Sequence, residues 1–583
     1  MVSPAQPVSA PAETADIDAP MIEASAGEIF LRRLAANGIE YLFANGGTDF
    51  APVIEGFAHA QVADFKVPTP ILIPHETAAL GMAHGYYLAT GRPQAVMVHT
   101  NVGLANCVMG VLNAASDQVP MILASGITPH TEHGPLGHRN SPINWGQNMR
   151  DQTAMVREPV KWDATLSRPE QIAPLVDRAV AIATSSPRGP VYLGLPREAL
   201  CEVTTYRDSK PRNAPARAAP HPEDLAEAAR LLDAAERPLI VAFRTGARGG
   251  GFDALTAFAE RHAIPVVEFW PSQLSIDGAS PMHGGFDPGE DLAAADVVLV
   301  LDAIVPWLPH RHGFAEQATV IQAGADPHQL EVPLRGFATD LALTGESAHI
   351  IAALDEAMQA MTPPPTLARD RSARFARLAE RHAARRAQLD SAVRAGPPMS
   401  AAFVTRAVVE LIGAEGCIVS ELGAKPEFVT GLRGDQFFQN PISGGLGWGL
   451  PAALGVQLAD RDRLVVATVG DGSYMFANPV ACHQIAEAHG LPLLTIVYNN
   501  GIWGAVRGST LGIYPQGHAA RANVMPITSL EPLPDFCKIA EASRAWTARV
   551  ADPAALADTL REAARVIREE KRQVLMEVKV GRA

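Results

Sequence analysis

This chain of 583 residues has few cysteines, no long apolar run and no basic block, and each absence removes a class of function. The five cysteines (Cys107, Cys201, Cys417, Cys482, Cys537) lie far apart with no C-x-x-C pair, which argues against a disulfide frame or a zinc knot and fits a reducing cytoplasm. No stretch reaches the roughly 18 apolar residues that span a bilayer, so no membrane role is expected. Lysine and arginine are scattered and the formal charge is -14, leaving no stripe to track nucleic-acid phosphates. Small molecules are the expected partners. The first residues are rich in Ala, Pro and Ser but lack the basic start and apolar centre of a signal peptide, so 1–23 reads as a disordered tail.

What the chain does have is the composition of a folded multidomain protein, 47% hydrophobic and 19% charged. From Glu28 the helical pattern EIFLRRLAANG ends at Gly38, and an apolar run, YLFA, leads into the turn NGG. Strands and helices then alternate (ILIP, ETAALGMAHGYYLATG, QAVMVHT, PMILASG, GPVYLGLP), the signature of an open parallel sheet over 24–200. A Pro/Arg/Ala-rich linker over 201–221 precedes a second α/β unit, 222–361, with strands PLIVAF, IPVVEF, DVVLVLD and ATVIQAG. Residues 362–398 contain many Arg and Ala and few large apolar residues and read as a solvated connecting helix. A third unit, 399–583, has strands GCIVSE, RLVVATVG, PLLTIVYN and QVLMEVKV, with Asp552 and Pro553 opening its last helix. The expected fold class is α/β, with three doubly wound parallel-sheet domains.

Chemistry enters with LVVATVGDGSY, an apolar strand running into Gly470, Asp471, Gly472 and Ser473. Glycines at the carboxyl end of a strand let the backbone approach a phosphate, and the next helix offers it unpaired N–H groups. Positions 473 through 498 number 26 and lead through a second strand to Asn499 and Asn500. Asp471 and the Asn500 amide oxygen are the hard ligands that Mg²⁺ prefers. A GDG on its own is ordinarily a tight turn. The ordered set of strand, GDGS, helix, strand and NN resembles the thiamine diphosphate signature of the decarboxylase and carboligase superfamily.

That resemblance implies a pyrimidine-binding first domain, a middle domain and a diphosphate-binding third domain. It also implies thiamine diphosphate and Mg²⁺ as cofactors, with Asp471, Asn500 and the backbone carbonyl of Ile502 as metal ligands. SGGLGWGLPAALGVQLA resembles the segment beneath the bent cofactor, with the Gly444 carbonyl near its amino group and Leu446 wedged under its two rings. Glu76, in ILIPHETAALG, stands where a helix-capping carboxylate is ordinary. In the family the matching glutamate bonds the pyrimidine ring and promotes loss of the thiazolium proton, an acid–base role that burial in an apolar cleft assists. Because the family joins these two domains across a subunit boundary, the resemblance implies a homodimer or homotetramer.

LFANGGTDFAP and VHTNVGLANCVMG are similar to benzoylformate decarboxylase motifs. Thr48 then matches a serine that holds the substrate carboxylate, and His99 a histidine that relays protons. IVPWLPHRHG loosely matches the region of a second catalytic histidine, with His310 taken for it and His312 equally eligible. His130, His133 and His138 are irregularly spaced in the insertion 128–148 and read as loop or pocket-wall residues rather than a zinc site. The chain departs from its relatives at Gly46 (a proline there), at Thr48, and at HTNVG, which replaces the TSGPG of acetolactate synthase. The activity implied is decarboxylation of a 2-oxo acid to an aldehyde. Alternatives are acetolactate synthase-like carboligation, a 2-hydroxyacyl-CoA lyase or oxalyl-CoA decarboxylase activity in which FRTGARGGG meets a nucleotide phosphate, and a silent cofactor-binding scaffold.

Overall fold

Three valine-containing strands buried on both faces set the architecture: QAVMV at Gln94–Val98, VVLVL at Val297–Leu301 and VVATVG at Val465–Gly470. Such strands belong in the middle of parallel sheets covered by helices on both sides. Each lies inside its own six-stranded sheet, and all the pairings within these sheets are parallel. A computed structural model describes residues 19–582 except 213, 248–249 and 362–364.

The first sheet runs Thr69–Leu72, Tyr41–Ala44, Gln94–Val98, Met121–Ile127, Pro190–Pro196, Asp163–Thr165. The third runs Phe437–Gln439, Cys417–Glu421, Val465–Gly470, Leu494–Asn499, Val574–Lys579, Trp546–Val550. Both follow the order 2-1-3-4-6-5, so the two end domains share one topology although the sequence shows no repeat. The middle sheet follows 3-2-1-4-5-6, from His283–Gly285 through Val266–Glu268, Pro238–Ala242, Val297–Leu301 and Thr319–Gly324 to Leu341–Thr344. In open sheets of this kind the crevice for ligands lies past the carboxyl ends of the strands where the order reverses. Those ends are Ala44 and Val98 in the first domain, and Glu421 and Gly470 in the third.

The end domains meet through helix Glu76–Thr90 and helix Gly449–Ala459, whose residues join a single apolar cluster. Glycine makes the approach possible. A Cβ on Gly85 would fall 1.9 Å from the Ala452 carbonyl oxygen, and one on Gly455 would fall 2.0 Å from that of Met82. This contact sets the Glu76 end of the first domain relative to the loop that precedes Gly449.

Two stretches differ from the sequence reading. Residues 1–18 of the expected tail lie outside the described residues, but Met21–Ser25 is a strand. It pairs antiparallel with Val203–Arg207, inside the expected linker. Each segment is short and half exposed, so neither carries a periodic apolar signal on its own. Helix Pro365–Ala392 is docked rather than fully solvated. Buried Arg374 donates to the carbonyl oxygens of Ala263 (2.8 Å), Ala235 (3.1 Å), Glu236 (3.1 Å) and His262 (3.0 Å), satisfying the carboxyl ends of two helices. Burial lowers its pKa to about 10. No helix among the described residues is long and apolar enough to cross a membrane.

Candidate active site

The Gly470 turn is built around the Asp471 carboxylate. Its Oδ1 accepts the Gly472 N–H at 2.8 Å, and its Oδ2 accepts those of Asn500 (3.1 Å) and Gly501 (2.6 Å) at the end of the next strand. Asp471 therefore ties two strand ends together. Burial pushes its carboxyl above the usual range, while the three N–H groups oppose that shift. A divalent cation at this point would favour the ionised form further. The Asn500 Oδ1 accepts the Ile502 N–H at 3.0 Å, which turns the backbone tightly around the same spot.

Ser473 Oγ is buried and faces the Glu421 carboxyl. Space here is left unused. A Cβ on Gly470 would meet nothing closer than 3.7 Å, and one on Gly444 nothing within 4 Å. Gly472 differs: a Cβ there would fall 2.2 Å from the Trp503 ring, so this glycine is needed for packing as well. An open backbone at a helix start, a buried hydroxyl and a carboxylate beside an amide oxygen suit a diphosphate and a hard cation.

The loop 443–449 is held from two sides. Glu421, fully buried at the neighbouring strand end, accepts the N–H groups of Gly447 (2.7 Å) and Gly449 (2.5 Å). Burial pushes the Glu421 carboxyl up to about 7, and those backbone donors act in the opposite sense. Asn113, from the first domain, bonds Gly445. Together these fix Gly444, in a left-handed conformation at φ 70°, and half-buried Leu446.

In the first domain Glu76 is buried at the first turn of its helix, but it is not the cap. His75 Nδ1 takes the Thr77 N–H at 3.4 Å, and Glu76 Oε2 accepts instead from the Asn106 amide at 3.1 Å. Cys107 packs nearby, and burial, with the Glu76 charge adding to it, raises its thiol pKa well above the ordinary value. Thr48 is exposed, and its carbonyl accepts from Arg197 at 3.4 Å. His99 follows the strand Gln94–Val98 and donates from Nδ1 to buried Asp49, which raises the imidazole pKa against the effect of burial. Thr100, next in the chain, has φ 40°, a strained conformation for a β-branched residue of the kind that gathers at functional sites.

Thr48, Glu76 and His99 thus gather at the first switch point, and Gly470, Asp471, Gly472, Ser473, Asn500 and Ile502 at the third. Among the described residues no hydrogen bond or ion pair within one chain joins Glu76 or His99 to the Asp471 group. His310 is exposed; His312 is buried edge-on against Phe269, with Nδ1 accepting the Leu308 N–H. Neither has a described bond to Glu76, His99 or Asp471. His130 and His133 are exposed, and His138 Nδ1 lies 2.8 Å from the Pro135 carbonyl oxygen. Part of FRTGARGGG (248–249) lies outside the described residues. Arg244, from that stretch, lines a cleft of ≈ 280 Å³ shared with Arg188 and Asp302. Sequence reasoning passed over Asp49, Asn106, Asn113, Gln147 and Glu421. For Asn106 and Glu421 the signal open to it was an amide inside a quoted motif and an acid at a strand end; the local sequence of the other three does not show which partner each bonds.

The chain resembles known proteins along most of its length. Residues 24–155 match the N-terminal TPP binding domain of the thiamine pyrophosphate enzymes, 225–354 their central domain, and 427–578 their C-terminal TPP binding domain. The chain is 26% identical over 539 residues to a probable 2-ketoarginine decarboxylase of Pseudomonas aeruginosa, covering 89% of this chain and 88% of that protein. It is 27% identical over 504 residues to the benzoylformate decarboxylase of the same species (83% and 87% covered). It is 24% identical over 576 residues to the acetolactate synthase large subunit of Haemophilus influenzae (93% and 92%). Among solved structures, a thiamine diphosphate-dependent 4-hydroxybenzoylformate decarboxylase of Rhodococcus jostii superposes with a TM-score of 0.78 at 21% identity, covering 96% of this chain and 100% of that one. The benzoylformate decarboxylase of Polynucleobacter necessarius gives 0.77 at 20%, covering 96% and 99%.

Proposed function

This chain belongs to the thiamine pyrophosphate enzyme family, and from that premise we propose that it is a cytoplasmic, Mg²⁺-dependent decarboxylase that converts a 2-oxo acid to an aldehyde. When bound, thiamine diphosphate supplies the electron sink that breaking a C–C bond beside a carbonyl requires. In this reading the side chains of Asp471 and Asn500 and the carbonyl of Ile502 hold the cation. Gly470, Gly472 and Ser473 receive the diphosphate, and Gly444 and Leu446 carry the rings.

The site is completed by Glu76 of the partner subunit in a homodimer or a homotetramer. Val102 and Leu112, on the helix whose Asn106 bonds Glu76, and Phe476 and Val480, past the Asp471 turn, are exposed apolar side chains. Burying each between two copies would contribute roughly 1.5–3 kcal/mol. Glu76 would hold a proton facing the pyrimidine ring, Thr48 would bind the substrate carboxylate, and His99 would hold the proton that the product aldehyde needs. His310 stays outside this scheme, because no described contact ties it to the site. The five free cysteines support a reducing compartment.

One observation carries the choice of decarboxylation: His99, backed by a buried acid, stands at the strand end within range of the Glu76 charge. A proton donor there favours release of an aldehyde over capture by a second carbonyl compound. The likeness to acetolactate synthase over most of both chains supports carboligation as the second reading. The purified protein, supplied with thiamine diphosphate and Mg²⁺, should be given a panel of 2-oxo acids and acyl-CoA thioesters and assayed for carbon dioxide, aldehyde and hydroxyketone. Aldehyde with carbon dioxide is expected. Hydroxyketone would replace the first reading with the second, and no turnover of any compound would leave a silent cofactor-binding protein.

A further inference from the structure

We propose that Asp49 and Gln147 are positioning residues that hold the two ring nitrogens of His99, and that the segment 128–147 is thereby a fixed wall of the substrate pocket. This rests on the reading of His99 as the proton donor.

The geometry is specific. His99 Nδ1 bonds Asp49 Oδ1, while the Gln147 amide nitrogen lies 3.0 Å from His99 Nε2. Asp49 is only 4% exposed and Gln147 only 7%, and each keeps one buried oxygen, Oδ2 and Oε1, without a partner. The chain makes room for this arrangement. A Cβ on Gly47 would fall 2.1 Å from His99 Nδ1, and one on Gly126 would fall 1.7 Å from Asp49 Oδ2.

Gln147 arrives on an irregular segment that two adjacent buried residues anchor. Arg197 donates to the carbonyl oxygens of Gly137 (2.9 Å) and His138 (2.5 Å) and to the Asn140 side chain (3.2 Å), and also reaches the Thr48 carbonyl. Glu198 Oε1 accepts the N–H groups of His130 and Thr131. Asn144 closes the turn by accepting from the backbone of Asn140 (3.0 Å) and Ser141 (3.3 Å). The segment is therefore built into the first domain, and Arg197 couples it to the Thr48 loop.

A carboxamide is the side chain that follows an imidazole through both of its states. Its NH₂ donates to a neutral Nε2; rotated by 180°, its oxygen accepts from a protonated one. With Nδ1–H fixed on Asp49, the Nε2 proton leaves the Gln147 oxygen for the substrate, the carboxamide turns its NH₂ to the neutral nitrogen, and water returns a proton, while the ring keeps its place throughout. The charged groups that act on it are Asp49 and Glu76, and both favour the imidazolium.

The test follows exchange of the histidine C2 hydrogen by mass spectrometry, across pH, in the full-length protein without cofactor, together with the pH profile of kcat. In D49N the His99 titration midpoint should fall below that of wild type. The high-pH limb of kcat should then move to lower pH, since the protonated ring does the work. Q147E should raise the midpoint, and Q147L should lose about tenfold or more in kcat at an unchanged melting temperature. A His99 midpoint unmoved in both D49N and Q147E, or wild-type kcat and pH profile in Q147L, would overturn the proposal. Normal turnover by H99A would instead overturn the relay reading beneath it, so the two failures are read from different variants.

Discussion

The Asn113 carboxamide bonds Gly445 on both sides of its peptide, donating to the carbonyl oxygen at 2.9 Å and accepting the N–H at 3.2 Å. Its oxygen also accepts the Ser443 hydroxyl at 2.7 Å. One buried amide from the first domain thus positions the third-domain loop that carries Gly444 and Leu446.

Removing that amide should loosen the loop. In N113L the Gly445 groups and the Ser443 hydroxyl lose their partner at a cost of about 1–3 kcal/mol. Thiamine diphosphate affinity should fall about 5-fold to 150-fold. Titration calorimetry with the cofactor and Mg²⁺ checks this; wild-type affinity would mean that Glu421 alone holds the loop.

Asp471 should decide whether the cofactor stabilises the protein at all. At a hundredfold excess over Kd, a bound ligand adds about 2.7 kcal/mol to the folded state. Wild type should show the matching rise in melting temperature with thiamine diphosphate and Mg²⁺, and lose it on chelation by EDTA. D471N should show almost none of it while remaining folded. An equal rise in D471N would move the metal elsewhere.

Glu421 gives a pH signature. Its carboxyl titrates at about 7 in the folded protein against an ordinary value of 4.5. A raised folded pKa means that the stabilising contribution is complete below pH about 4.5 and is lost as pH climbs through about 7, a change of about 3 kcal/mol. E421Q removes this titration at the expense of one good acceptor. The stability difference between E421Q and wild type, measured by urea unfolding, should therefore shift toward the variant between pH 5 and 7 and level off above. A difference that ignores pH would place the charge elsewhere.

Much of the fold was legible in the sequence because the central strands are continuous apolar runs, and because GDGS and NN mark the ends of two neighbouring strands. The edges were not. Asp163–Thr165, Leu341–Thr344 and Trp546–Val550 are short and largely half exposed, so their apolar pattern is weak. Glu76 stood out only through a resemblance; locally it reads as a cap, and the structure shows His75 making that bond. Asp49 and Gln147 were hidden for another reason. They reach His99 across 50 and 48 positions, and nothing in an irregular segment such as 128–147 announces which amide will turn inward.

The central claim is that one cofactor is shared by Asp471 of one chain and Glu76 of its neighbour, and subunit mixing tests it most directly. E76Q and D471N should each be nearly inactive alone. Combined by co-expression or by unfolding and refolding together, half the dimers are mixed, and each mixed dimer has one site in which both residues are intact. Turnover should return to about one quarter of the wild-type value. If the mixture stays as inactive as its parents while mixed dimers are shown to form, each site lies within a single chain and the account is contradicted.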